Sequence, residues 1–107
     1  MSGPDAAPER LRADKWLFFA RFFKTRSLAA DRISAGHLRI NGRKVDKPAR
    51  PVGPGDVLTF RQGKRIRVVR LLSLPERRGS AAEAQVHYDD LSEPEESARP
   101  EPTQKYR

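Results

Sequence analysis

The stretch RADKWLFFARFFKTRSLAADRISAGHLRINGRKV, running from Arg12 to Val45, decides how the rest of the chain is read. Trp16, Leu17, Phe18, Ala20, Phe22 and Phe23 supply the apolar side of a first helix, and Arg12, Lys15, Arg21 and Lys24 fall among them as its polar side. Thr25 or Ser27 can accept from the unpaired amides that open a second helix. Ala29 and Ile33 stand four apart on one face of that helix, and Gly36 offers a positive-φ stop. Leu38 and Ile40 then alternate with His37, Arg39 and Asn41. Asn41-Gly42 suits a two-residue hairpin turn, returning the chain through Arg43, Lys44 and Val45. Two short helices and a hairpin are expected, with the strand's apolar side against the helices and its basic side in water.

Around this stretch, 107 residues support one domain, and with 34% charged against 36% hydrophobic residues only part of the chain can bury a core. The absence of Cys excludes a disulfide framework, a thiolate zinc site and a Cys nucleophile, and is compatible with a reducing cytoplasm. No apolar run approaches the roughly 20 residues that span a bilayer, and MSGPDAAPER lacks a signal-peptide core. A soluble cytoplasmic protein is expected. The net charge of +8 is unevenly placed. Residues 1–79 carry 19 Lys and Arg against 7 Asp and Glu, a net +12, while residues 80–107 carry 3 against 7, a net −4. A basic body with an acidic end points to a polyanion partner for the body.

Taken in order, residues 1–10 read as a mobile arm and residues 11–74 as the folded body. Residues 75–91 read as a C-terminal helix and 92–107 as a disordered acidic tail. DKPARPVGPG, residues 46–55, is a loop that can be strand only at an edge and must wrap around something rigid. Val57 to Arg61 suit a strand, Gln62-Gly63-Lys64 a turn, and RIRVVRLL a last strand with Ile66 and Val68 buried and Arg65 and Arg67 exposed. Ser80 and Glu83 form a capping box for a final helix of about ten residues, along which Ala82, Val86 and Leu91 can dock. The fold class is therefore α+β: two or three short helices packed on a small, twisted, mostly antiparallel sheet, with disordered termini.

A hydrolytic or metal site needs convergent groups, and His37 and His87 are the only histidines. His37 opens a basic strand and His87 lies in an acidic helix, so neither is assigned catalysis. Asp89-Asp90 and the tail glutamates read as solvated, and Gly53 and Gly55 precede a strand, the wrong context for a phosphate loop. No enzyme, cofactor or metal is expected. Binding has more behind it. Lys24, Thr25, Arg26 and Ser27 sit where one helix gives way to the next, and the amides there, two hydroxyls and two cations make a phosphate seat. Arg12 and Lys15, three apart, extend that patch, with Asp14 orienting one of the cations. Arg39, Asn41, Arg43 and Lys44 ring the hairpin, while Trp16, Phe18, Phe22 and Phe23 read as core rather than as bases' stacking partners.

The ordered series R-x-D-K-W-L, A-R-F-F-K-T-R-S-L-A and I-x-x-G-H-L-R-I-N-G resembles the alpha-L RNA-binding motif of small-subunit ribosomal protein four. Arg61-Gln62-Gly63, the basic strand after it, and P-E-R-R-G-S-A-A-E-A with Tyr88 are similar to the ribosome-associated heat-shock protein fifteen family, so that the likeness covers Arg12 to Leu91. Ala13 departs from the motif's usual Leu and Arg32 from a position often apolar, which implies a thinner core there. A short acidic end stands where that family has a longer basic one. The resemblance implies an RNA-binding protein of the heat-shock response, and a non-catalytic monomer is expected. It would be bound to large-subunit ribosomal RNA on stalled or dissociated subunits carrying peptidyl-tRNA, with tRNA as a further partner. His37 joins the expected RNA-binding residues on the same ground. A constitutive ribosomal protein, a DNA-binding protein and the RNA-binding accessory of a modifying enzyme are the rivals.

Overall fold

In a computed structural model, which describes residues 9–92, the first helix stops short of its apolar run. Strand β1 (Leu11–Arg12) leads into α1 (Ala13–Phe19), and the chain then turns instead of continuing to Lys24. Arg21 takes φ +69°, while the amides of Arg21 and Phe22 donate to the carbonyls of Phe18 and Leu17 at 3.0 Å each. This is a Schellman stop with arginine in the left-handed position that glycine usually fills. Its consequence is packing: Phe22 and Phe23, one turn too far along to be helical, swing into the core.

Helix α2 (Arg26–Ser34) follows with Thr25 as its cap, the hydroxyl oxygen accepting from the Leu28 amide at 3.0 Å. It ends in the same motif, this time with Gly36 at φ +86° and the amides of Gly36 and His37 bonded to the carbonyls of Ile33 and Arg32. Ala29 and Ile33 are buried, as their spacing predicts. Strands β2 (Leu38–Ile40) and β3 (Arg43–Val45) form the expected hairpin, with Asn41 and Gly42 both at positive φ, the signature of a type I′ turn.

The loop over residues 46–55 wraps the start of α1. Arg12 provides no side-chain cap, and the α1 amides of Ala13 and Asp14 donate instead to the carbonyls of Arg50 and Pro48 at 2.9 and 3.1 Å. Within this loop β4 (Pro51–Val52) pairs antiparallel with β1, an edge pairing in which Pro51 is tolerated. Gly53 is buried beneath the entering chain, where a Cβ would lie 2.9 Å from the Glu9 carbonyl oxygen. Ala13 is fully buried.

Strands β5 (Val57–Gln62) and β6 (Arg65–Leu71) complete the middle of a five-stranded antiparallel sheet of order β3-β2-β5-β6-β7. Three expectations are corrected here. The β6 face is inverted: Ile66 is exposed, whereas Val69 and Leu71 are buried and Arg67 shares their side, opposite Phe60. An arginine that satisfies its own charge can take a core position, which simple alternation does not anticipate. Nor is β6 the last strand. Helix α3 (Ala81–Gln85) is only five residues long, and the chain after it forms β7 (Tyr88–Asp90) along the free edge of β6. The capping box of Ser80 and Glu83 is present, but Ala84 is the buried residue, while Ala82, Val86 and Leu91 are exposed.

The core lies between α1, α2 and one face of the sheet, with Trp16, Leu17, Phe22, Phe23, Ile33, Leu38, Ile40, Leu58, Phe60, Val69 and Leu71 buried together. Each large side chain so enclosed contributes on the order of 1.5 to 3 kcal/mol by removal from water. Phe22 sits at the aromatic centre, its ring 5.0 Å from Phe60, 4.9 Å from Tyr88 and 5.9 Å from Trp16. The structure is thus α+β, three helices with antiparallel sheets. Residues 1–8 of the expected arm over 1–10, and the acidic tail beyond Ser92, lie outside the described residues.

Candidate nucleic-acid interface

The phosphate seat expected at the opening of α2 is built around a carboxylate. Asp14, in the first turn of α1, has a side chain only 3% exposed, while the arginines on it, Arg12 and Arg26, are 47% and 44% exposed. Arg12 makes a two-pronged contact, its Nε and Nη2 donating to the two Asp14 oxygens at 3.0 Å each. Arg26, the first residue of α2, places Nε 3.5 Å from Asp14 Oδ2. Two guanidinium groups from separate elements therefore share one acid. The hydrogen bond to Asp14, and then its charge, raise the pKa of Arg12 above the ordinary arginine value, so this cation stays charged at every relevant pH.

Beside them Lys24, Thr25 and Ser27 are exposed at the helix start, where unpaired amides and the helix dipole favour an anion. The Thr25 oxygen is already occupied as the cap acceptor, which leaves its O–H to donate outward. Arg12 stands at the cap of α1 rather than within it, and its guanidinium is turned to Asp14. The Lys15 ammonium lies instead 5.6 Å from the centre of the Phe19 ring, half-buried on α1.

The hairpin residues divide between the two faces of the sheet. Arg39 and Lys44 are register partners on the face away from the helices, whereas Arg43 pairs with Ile40 on the other side at the sheet edge. The Arg39 guanidinium donates to the Gly42 carbonyl at 3.3 Å across the turn. Asn41 is occupied internally: its Oδ1 accepts from the Val57 amide at 2.9 Å and its Nδ2 donates to Asp56 at 3.1 Å. These bonds hold the hairpin to β5, and Asn41 itself stays exposed. His37 is exposed beside Arg39, in a hollow that also involves Arg61 and Ile66. The sequence does not mark Arg61 and Ile66 as neighbours of His37, since the register between β2, β5 and β6 that unites them is set by two separate turns.

Arg67, expected to be exposed, is held on every side. Its guanidinium bonds Asp90 at 2.7 Å and Gln62 at 2.9 Å and lies 5.1 Å from the centre of the Phe22 ring. Asp90 is accordingly not simply solvated. Burial alone would raise its pKa, but hydrogen bonds from Ser92 and the charge of Arg67 outweigh burial and hold the carboxyl below its ordinary value. His87 lies after α3, not in it, with Nδ1 2.6 Å from Ser73 Oγ.

With this geometry in view, the chain's relatives can be placed. Residues 11–58 match the S4 domain family. The heat shock protein 15 homolog of Aeromonas salmonicida is 42% identical over 90 residues, 84% of this chain and 67% of that protein. Ribosomal protein uS4 of Chlorobium limicola is 43% identical over 54 residues, covering 50% of this chain and 27% of that one. A solved structure of heat shock protein 15 from Vibrio cholerae, described as trimeric, matches with TM-score 0.72 and 39% identity over 77% of this chain and 82% of that one. The chain spans about two thirds of the length of the heat shock protein 15 relatives it matches. Shared sequence over most of the chain, a shared fold and an S4 domain across both helices and the hairpin show that it belongs to the heat shock protein 15 family.

Proposed function

We propose that this chain is a non-catalytic RNA-binding protein of the cytoplasm. It binds structured ribosomal RNA of the large subunit, on stalled or dissociated subunits that still carry peptidyl-tRNA. The observation that carries the RNA reading is the pair of exposed guanidinium groups fixed on buried Asp14 at the amide-rich start of α2. Exposed arginine held in one orientation suits the fixed geometry of a phosphate better than a mobile cation does, because less freedom is lost on binding. Lys24, Ser27 and the hairpin cations widen that attraction. Among the described residues no helix is long and apolar enough to cross a membrane. Membership in a heat shock family supports the stress setting, and the uS4 likeness keeps a constitutive ribosomal role as the second reading.

The test is titration of a structured RNA at increasing salt, with duplex DNA of equal length as the comparison. Affinity for RNA should fall with a log-log slope of several units, since each neutralised phosphate contributes roughly 0.7 to 0.9. DNA should bind less tightly, because groove shape and the 2′-hydroxyl distinguish the two. A flat salt response removes the electrostatic reading, and equal affinities favour the DNA rival. Sedimentation with ribosomal fractions before and after heat shock separates a stress-associated role on free large subunits from a constitutive ribosomal one. The monomer expected from the sequence and a trimer like that described for the Vibrio cholerae relative are distinguished by sedimentation velocity of the free chain.

A further inference from the structure

The sheet face that turns away from the helices carries the hairpin cations Arg39 and Lys44 together with His37, Arg61 and Ile66, none of which lies at the seat on α2 itself. Strand alternation places Lys44, Arg39 and Thr59 in one cross-strand row on this face, because Arg39 is the register partner of both others. Arg61 and Ile66 are partners in the next row, and His37 reaches the same place from the residue before β2. Gly36, His37, Arg39, Thr59, Arg61 and Ile66 together line a shallow hollow of about 190 Å³. The Lys44 stem lies across its rim, so close that a Cβ on Gly36 would meet Lys44 Cε at 2.7 Å.

Two features meet on this face. Several basic side chains of the molecule are matched with acids: Arg10 with Asp56, Arg12 and Arg26 with Asp14, Arg67 with Asp90, Arg70 with Asp89, and Arg77 with Glu83. Around the hollow, His37, Arg39, Lys44 and Arg61 have no acidic partner among the described residues. Amid them Ile66 is 55% exposed, a large apolar side chain left in water at the centre of a positive field. One exposed apolar side chain is ordinary, and Val86 is more exposed still at 67%, but Ile66 stands in a hollow lined by cations, which suits a flat apolar group carrying negative charge and would repel a second basic protein surface.

Resting on the reading of the chain as an RNA binder, we infer that this face is a second contact surface that takes an unpaired RNA segment, with one base lying on Ile66 in the hollow. A duplex buries its base faces and offers only edges and phosphates, but an unpaired strand offers both a flat apolar base and a mobile phosphate chain. The base covers Ile66 between the planes of His37, Arg39 and Arg61, and Lys44 meets a flanking phosphate. The face lies across the sheet from the side that α1 and α2 cover, so a single RNA with a helical part and a single-stranded part can engage both.

The experiment compares an RNA hairpin with the same hairpin carrying a short single-stranded uridine extension. The unaltered chain should bind the extended RNA more tightly. Ile66→Ser, which changes no charge at an exposed position, should remove about fivefold of that gain, on the order of 1 kcal/mol at 1.4 kcal/mol per tenfold, and leave the salt slope and hairpin affinity as they were. Arg61→Ala should reduce the gain and the slope together. The inference is overturned if the extension confers no gain, or if Ile66→Ser keeps it. A changed sedimentation coefficient with unchanged RNA affinity likewise overturns it, in favour of a contact between copies. Failure of the unaltered chain to bind either RNA is a different result, since it removes the RNA reading itself.

Discussion

Two arginine–aspartate contacts in this molecule have the same chemistry and opposite arrangements. At the opening of α2 the acid is buried and its arginines, Arg12 and Arg26, face water; between β6 and β7 the arginine is the more covered partner, its side chain 13% exposed, and Asp90 faces water at 43%. The covered member is the one the fold has fixed, and the exposed member is the one it can offer. A buried aspartate beneath two exposed arginines holds positive charge outward in a set direction. A half-buried arginine beneath an exposed aspartate donates from all three of its nitrogens to Gln62, Asp90 and Ser92, and it holds β7 to the sheet. The difference separates presenting a cation from consuming one, and residue type alone does not reveal it.

The largest effect expected from this contrast is on stability. Arg67→Ala should destabilise the protein by about 2 to 3 kcal/mol, because it removes charge-assisted hydrogen bonds and the aliphatic and guanidinium packing over Phe22. The cost stays below that of stripping a fully buried pair, since Asp90 can return to water. Urea or thermal unfolding measures it, and RNA affinity of the folded variant should change only by a diffuse charge effect. A variant that melts like the unaltered chain would show that Arg67 is merely covered, and the contrast with Arg26 would collapse.

Arg26→Ala should do the reverse. Its partner Asp14 retains the two-pronged contact with Arg12, so the fold should melt nearly as before, while RNA binding weakens by roughly 1 to 3 kcal/mol. Equal loss of affinity in the Arg26 and Arg67 variants, both folded, would mean a uniform electrostatic surface with no seat. Asp14→Asn sharpens the point by its sign. A surface acting through net charge alone should bind RNA more tightly once a negative charge is gone. If the role of Asp14 is to hold Arg12 and Arg26, affinity should fall instead, by about 1 kcal/mol, since both cations lose the group that orients them. Titration at low and moderate salt, beside a control such as the exposed Asp31→Asn, reads the sign directly.

How far the sequence disclosed these arrangements depends on whether a local residue marks them. Both helices end in the same backbone motif, yet only one end is legible. Gly36 announces the stop of α2, while Arg21 occupies the equivalent left-handed position of α1 with no glycine to mark it. A helix drawn through Lys24 is the natural reading, whereas α1 ends at Phe19. Asn41-Gly42 fixed the hairpin because its turn chemistry is local, and Ser80 with Glu83 marked the start of α3 for the same reason. The segment after α3 carries no such mark. Tyr88, Asp89 and Asp90 form a strand through pairing with β6 and the Arg67 contact, both from residues about twenty positions away, and acidic residues are poor strand formers on their own. The same non-local cause hid the inverted face of β6, where Arg67 outranks Ile66 for a core position once Asp90 is available to it.

The smallest effect is a pH dependence that isolates β7. The carboxyl of Asp90 is held below its ordinary value in the folded chain, by the hydrogen bonds from Ser92 and the charge of Arg67 acting against burial. A lowered pKa means the folded state favours the ionised form, so the contribution is fully present above the unfolded value and is lost as pH falls through the folded one. Near neutrality Asp90→Asn should therefore melt slightly below the unaltered chain. That gap should narrow as pH passes below the ordinary aspartate range and close once Asp90 is protonated in both states. Because Asp90 is largely solvent-facing, salt screens much of the effect, and the gap at neutral pH should shrink on raising ionic strength. Amide exchange should show where the loss falls: protection at Leu91, which donates to the Val68 carbonyl at 2.7 Å, should drop in the variant, while protection on β2 and β5 holds. If the gap between the two proteins is the same at every pH, the ion pair contributes nothing to holding β7, and packing of Tyr88 against Phe22 and Trp16 keeps the strand in place by itself.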